Sequence, residues 1–142
     1  MEEVLRIKKL RDDAVVPTRQ FEGDAGLDLY AVESVVLEPM QRAKVPTGIA
    51  LSVPKGMVGL IWDKSGLSNN HGLKSLGGVV DAGYRGEILV GLVNLSEERY
   101  VIEKGHRIAQ LLIQRIEHIA AHVVEELDSS DRGEGAFGSS GK

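Results

Sequence analysis

Apolar positions along this chain come in short bursts rather than long stripes. Many are β-branched, and residues 26–31 alternate apolar and polar side chains as a half-buried strand does. The pattern predicts strands at 4–7, 26–31, 35–37, 42–46, 48–53, 57–62, 87–95, 99–102, 107–116 and 120–124. Turn residues separate them at Pro17, Glu22-Gly23, Pro39, Pro54-Lys55-Gly56, Gly77-Gly78, Gly83 and Lys104-Gly105. Breaks roughly every 8–12 residues point to an all-β sandwich or barrel, not to alternating β and α units. One short helix is expected over 65–70, capped by Ser65. Val35-Val36, Val58, the run 88–93, Ile108, Leu111 and Ile113 are expected in the core. The alternation around Asp28 turns Leu27 and Leu29 inward and sends the carboxylate out to solvent.

Residues 129–142 break the rhythm. They hold no aliphatic run, but they carry Arg132, Phe137 and a cluster of glycines and serines. Free amides, hydroxyls and a guanidinium suit a polyphosphate, and an aromatic face suits a base. The same composition is also that of a disordered end.

At 142 residues the chain fits one domain with a real core. Its 17 basic and 21 acidic residues leave a formal charge of −4, too acidic overall to grip a long nucleic-acid backbone. It has no cysteine, which excludes disulfides and thiolate chemistry. Its four histidines are scattered; His118 and His122 share an i, i+4 spacing, but the flanking Ile119 and Val123-Val124 read as strand, which argues against a zinc site. The acidic start, Met1-Glu2-Glu3, and the lack of a membrane-length apolar run predict no signal peptide, no membrane span and a cytoplasmic protein.

Five stretches are too polar or too glycine-rich for plain strands. In 24–30, Asp28 could hold a hydrated magnesium ion or be an ordinary surface residue. In 63–68, Lys64, Ser65 and Gly66 at a helix start form a compact anion site or a capped turn. In 77–87, Asp81 could take a proton from an attacking water and Tyr84 could lie against a sugar; alternatively Asp81 caps a hairpin turn. In 105–113, Gln110 interrupts an apolar run and needs a partner if buried. The fifth is the tail.

Taken in order, these stretches resemble the five motifs of the trimeric deoxyuridine triphosphatase (dUTPase) family: 24–30, 64–68, 78–87, 105–110 and 132–141. The resemblance implies a distorted β-barrel or jelly roll over 1–128, a flexible arm at 129–142 closing over the active site, and a homotrimer with sites shared between subunits. It implies hydrolysis of dUTP to dUMP and pyrophosphate, which keeps uracil out of DNA and supplies dUMP for dTMP synthesis. Mg²⁺ would be held mainly by the substrate phosphates, with Asp28 acting through a bound water.

On the same resemblance, Asp81 activates the water that attacks the α-phosphorus, and Val79 and Val80 present backbone groups to uracil. Ser75 falls near the base and Leu89 at a further substrate contact. Tyr84 packs on the deoxyribose. Lys64, Ser65, Gly66 and Gln110 meet the phosphates. Arg132, Gly138, Ser139 and Ser140 grip the γ-phosphate, and Phe137 stacks on uracil. Lys64 stands where arginine is usual and loses the bidentate fork. His106 replaces an acidic residue. Ala136 replaces a glycine and would be strained at positive φ. Ser140 for threonine is mild. Deaminases of the same fold, which carry a glutamate base and an Arg-Ser-Ser stretch absent here, and a non-catalytic nucleotide sensor are the rival readings.

Overall fold

The computed structural model describes residues 3–138. Its elements are β1 (Arg6–Lys9), β2 (Leu27–Tyr30), β3 (Val35–Leu37), β4 (Arg42–Ser52), β5 (Met57–Trp62), α1 (Ser65–His71), β6 (Leu73–Leu76), β7 (Val79–Val80), β8 (Glu87–Asn94), β9 (Tyr100–Ile102) and β10 (Arg107–Arg115). The all-β expectation holds, with one short helix. The strands hydrogen-bond in three sheets, ordered β1-β4-β8-β6, β2-β10-β5-β7 and β3-β9, with every pairing antiparallel. Among the described residues no helix is long and apolar enough to cross a membrane.

The core forms where the inner faces of the sheets meet. Leu29, Leu37, Val45, Ile49, Ile102, Ala109 and Leu111 have no exposed surface. Period-two alternation corrects two expectations. Val36 points outward from β3, because its neighbours Val35 and Leu37 take the inward positions. Within the apolar run 88–93, Ile88, Val90 and Leu92 are buried while Leu89 is exposed, so this run has one inward face rather than two.

The two strands expected at 42–46 and 48–53 are one strand, β4, broken in register between Pro46 and Ala50. Gly48 makes the irregularity possible, with φ of 71°. Its N–H donates to the Glu87 carboxylate at 2.9 Å, and the Thr47 hydroxyl donates to the Ile88 carbonyl at 2.6 Å. The irregularity thus ties β4 to the start of β8. Asn94, fully buried at the other end of β8, donates to the Leu37 and Glu98 carbonyls and accepts from the Ser96 amide and hydroxyl.

The strand expected at 120–124 does not form; residues 116–138 have no strand, and Val123 is fully exposed. Its β-branched residues fit a pleated surface only where another strand or sheet lies against them, and none does within the described residues.

Helix α1 is seven residues long and none is buried. A helix this short and this rich in serine, glycine and asparagine has no stability of its own. Its ends are pinned instead. Gly72 closes it in the left-handed conformation, and the Gly72 carbonyl accepts from Leu95 N–H at 2.9 Å. Ser65 is not the cap: Lys64 occupies that position and no side chain caps the first turn.

Candidate active site

The first group of site residues hangs from β7. This two-residue strand is the outer edge of its sheet, pairing with β5 through Val79↔Leu60 and Val80↔Gly59. Its other edge therefore offers unpaired backbone donors and acceptors. Gly77 and Gly78 swing the chain into position at φ of 70° and 114°. The Gly78 carbonyl accepts from Ile61 N–H at 2.7 Å, and a Cβ on Gly78 would lie 2.8 Å from the Ile61 oxygen. Only glycine meets both demands.

After β7 the chain turns over residues 81–84, closed by Tyr84 N–H donating to the Asp81 carbonyl at 3.1 Å. The Asp81 side chain does not cap this turn. Its carboxylate is exposed and accepts no hydrogen bond among the described residues. The Tyr84 hydroxyl donates to the Glu87 carbonyl at 2.8 Å, and the ring lies over Gly86, where any Cβ would collide with it. The ring is thus locked at the mouth of a cleft of about 230 Å³. Val79, Val80, Asp81, Tyr84 and Leu89 line it, joined by Ile61, Gly78, Glu87 and Ile88. Ligand pockets usually start near 300 Å³, so the cleft suits a base and sugar rather than a whole nucleotide.

The second group sits at the end of β5 and across β2 and β10, where Asp28 pairs with Gln110 and Gln110 with Trp62. Asp28 does not face solvent, as the alternation suggested; it is 3% exposed. It faces away from the core, but Lys64 and Arg107 cover it. The Lys64 ammonium donates to one carboxylate oxygen at 2.5 Å, and Arg107 Nε lies 3.5 Å from the other. Gln110 finds its partner in the Asp63 carbonyl, to which Nε2 donates at 2.8 Å. Gly26 leaves room for that side chain, since a Cβ there would strike it. Ser65 and Gly66 are exposed in the first turn of α1.

Asp63 receives Ser75 N–H at 2.7 Å and the Lys74 ammonium at 2.6 Å. Burial pushes its pKa up, but Lys74 and the Ser75 bonds outweigh burial and hold the carboxyl below the usual carboxylate range. Ser75 therefore belongs with this charged group and does not line the cleft.

The tail forms the third group. Arg132 Nε donates to the Gly135 carbonyl at 2.5 Å, and Gly133 N–H donates to the Ser130 hydroxyl. All its hydrogen bonds among the described residues are internal, and Phe137 is fully exposed. Ala136 is not at positive φ; the left-handed residues of the described tail are Gly133 (φ 57°), Phe137 (φ 52°) and Gly138 (φ 92°). The strain expected at Ala136 falls one residue later. Ser139 and Ser140 lie outside the described residues.

No hydrogen bond or ion pair among the described residues joins these three groups. The residues that sequence reasoning passed over are Asp63, Arg107, Ile61 and Glu87. Asp63, Glu87 and Arg107 stand inside stretches already singled out, where a charge near a proposed ligand was the available signal. Ile61 looks like an ordinary strand residue.

The chain matches the dUTPase family model over residues 12–141. It is 44% identical over 139 residues to the deoxyuridine 5'-triphosphate nucleotidohydrolase of Clostridium kluyveri, covering 96% of this chain and 97% of that one. It is 48% identical over 145 residues to the enzyme of that name from Mycobacterium leprae, covering 96% and 94%. Among solved structures it resembles a mutant of the Staphylococcus bacteriophage 80alpha dUTPase with dUpNHpp (TM-score 0.93, 37% identity, 99% and 100% covered). It also resembles a mutant dUTPase from phage phi11 of S. aureus, described with a structural Mg(II) ion (TM-score 0.84, 31% identity, 89% and 100% covered). With the family model matched over residues 12–141 and these relatives over 96% of its length, the chain belongs to the dUTPase family.

Proposed function

We propose that this chain hydrolyses dUTP to dUMP and pyrophosphate at a site assembled from the three groups above, contributed by different copies in a homotrimer. The chain is a dUTP diphosphatase. The observation that carries the mechanism is the cleft at 78–89: a free strand edge, a locked tyrosine and a carboxylate without a partner converge there. The edge of β7 at Val79 and Val80 reads the base through backbone groups, which cannot retreat as a side chain can. Tyr84 closes the sugar side. Asp81 accepts a proton from water as the water oxygen bonds to the α-phosphorus; the bond to the bridging oxygen breaks, and pyrophosphate leaves with that oxygen.

The phosphates fall to Lys64, Ser65, Gly66 and Gln110, with Arg132 and the amides and hydroxyls of 138–140 on the γ-phosphate and Phe137 over the base. Closure of the arm over 129–142 excludes bulk water. Ser75 and Leu89 act at the margins, the first through the charged group and the second from the wall of the cleft. A divalent ion fits only as part of the substrate complex: the described residues hold no cluster of three metal-ligating side chains, and Asp28 is the one buried carboxylate beside the phosphate-binding turn. Magnesium bound to the phosphates would neutralise their charge, and Asp28, released by Lys64, would hold one of its waters. Cytoplasmic residence fits this chemistry.

The test is pyrophosphate release from dUTP, dCTP, dTTP and UTP in parallel. Release from dUTP alone is expected. Asp81→Asn should abolish it while still binding dUTP. Equal release from dTTP would sink the base-reading role of β7, and normal turnover in the Asn variant would sink water activation.

A further inference from the structure

We infer that Asp63 is a positioning residue for the triphosphate, resting on the site reading above. It acts as a clip between two sheets at the point from which the phosphate-binding turn hangs. β6 is the outer strand of β1-β4-β8-β6, so one of its edges is unpaired. Asp63 takes up that edge: its carboxylate accepts Ser75 N–H at 2.7 Å and the Lys74 ammonium at 2.6 Å. Its backbone belongs to the other sheet, since it follows Trp62 of β5, and its carbonyl accepts Gln110 Nε2 of β10 at 2.8 Å. The next residue is Lys64, which reaches Asp28 on β2.

This matters because residues 64–66 have few other anchors: the Lys64–Asp28 pair and the half-buried Leu67 that follows them. Helix α1 buries no residue fully, and only the half-buried Leu67 of its first turn packs against the core, so apolar packing holds that turn weakly. The carboxylate side chain is only 19% exposed, and its oxygens are already taken by Ser75 and Lys74. It is therefore a fastening rather than a ligand. Its negative charge, matched by Lys74, does not oppose the incoming phosphates. Asp63 does not line the cleft at 78–89, so the clip should bear on the phosphates more than on the base.

The experiment compares dUMP and dUpNHpp binding to the full-length protein by calorimetry. In wild type the β- and γ-phosphates add affinity. Asp63→Ala should cut that added affinity about ten-fold, the worth of one charge-assisted bond, and leave dUMP binding within about two-fold. Asp63→Asn keeps an oxygen to accept Ser75 N–H and should restore most of the loss. Trp62, the single tryptophan and the immediate neighbour, is 55% exposed, and its emission should respond to dUpNHpp in wild type and Asp63→Asn but not in Asp63→Ala. If Asp63→Ala does not fold, Asp63→Glu, which keeps the charge on a longer arm, should show the same selective loss. An unchanged dUpNHpp-over-dUMP ratio in a folded variant overturns the proposal. So does an equal loss for both ligands with a lowered melting point, which is what a purely structural role predicts. A wild-type protein that does not bind dUpNHpp or hydrolyse dUTP would instead refute the site reading itself.

Discussion

Replacing Gly78 with alanine should open the base cleft without touching any group that meets substrate through a side chain. Two costs coincide there. Alanine at φ of 114° is strained, by about 1–3 kcal/mol for such a conformation. Its methyl would also sit 2.8 Å from the Ile61 oxygen, closer than real carbon–oxygen contacts allow. The oxygen belongs to backbone and cannot rotate away, so the turn must lift off β5. Lifting it breaks the 2.7 Å bond from Ile61 N–H to the Gly78 carbonyl and lets the two residues of β7 drift. Uracil and thymine differ by one methyl group, and packing discriminates one such group by about 1–3 kcal/mol, or 10–200-fold. A loosened β7 should lose most of that discrimination. We expect kcat/KM for dUTP to fall about 10–100-fold and the dUTP:dTTP ratio to shrink by a similar factor. Steady-state pyrophosphate release with both nucleotides measures it, alongside the melting temperature. A folded variant with unchanged dUTP:dTTP selectivity would refute the claim that the glycine turn sets the width of the cleft.

Deleting residues 131–142 should lower dUTP turnover about a hundredfold or more while leaving the proposed trimer intact; unchanged kinetics would remove the arm from the mechanism. Asn94→Ala should destabilise the fold by about 2–4 kcal/mol in urea denaturation, because it strands the buried Leu37 carbonyl and empties a fully buried position; a loss below about 1 kcal/mol would contradict its role as a hub. Asp13 has its pKa lowered to about 2, first by the Lys104 bond and then by Arg11. Because the folded pKa lies below the unfolded one, the stabilisation is complete above about pH 4 and disappears as pH falls toward 2. Asp13→Asn should therefore narrow the stability gap between pH 5 and pH 2.5, by a small amount for so exposed a group, and an identical pH profile would count against it.

The strand content was readable because β-branched bursts and turn residues act locally. The family was readable because glycines and charges cluster in its motifs, where strands end. What escaped reading depends on neighbours distant in sequence. Asp28 looked solvent-facing because alternation gives β2 one wet face, and only Lys64 and Arg107, far along the chain, reveal that this face is covered. Residues 120–124 have strand composition but no partner among the described residues, so composition alone mispredicts them. β6 was missed because Leu-Lys-Ser-Leu is short and half polar; Asp63 and β8 hold it from either side. Ser65 is a good cap by type, but Lys64, paired with Asp28, takes the cap position, and that puts Ser65 one residue too late.

On the proposed reading, the pair between Lys64 and Asp28 makes the turn at 64–66 an ion exchanger. A bare anion approaching Lys64 must pull apart a 2.5 Å pair and abandon Asp28 in a position only 3% exposed, with Arg107 as its remaining counter-ion. An anion that arrives with its own cation can swap partners, giving Lys64 a phosphate and Asp28 a new positive neighbour, with no charge left stranded. The ground state thus discriminates by the company an anion keeps. On the proposed reading, free phosphate and pyrophosphate would meet a lysine that is already paired.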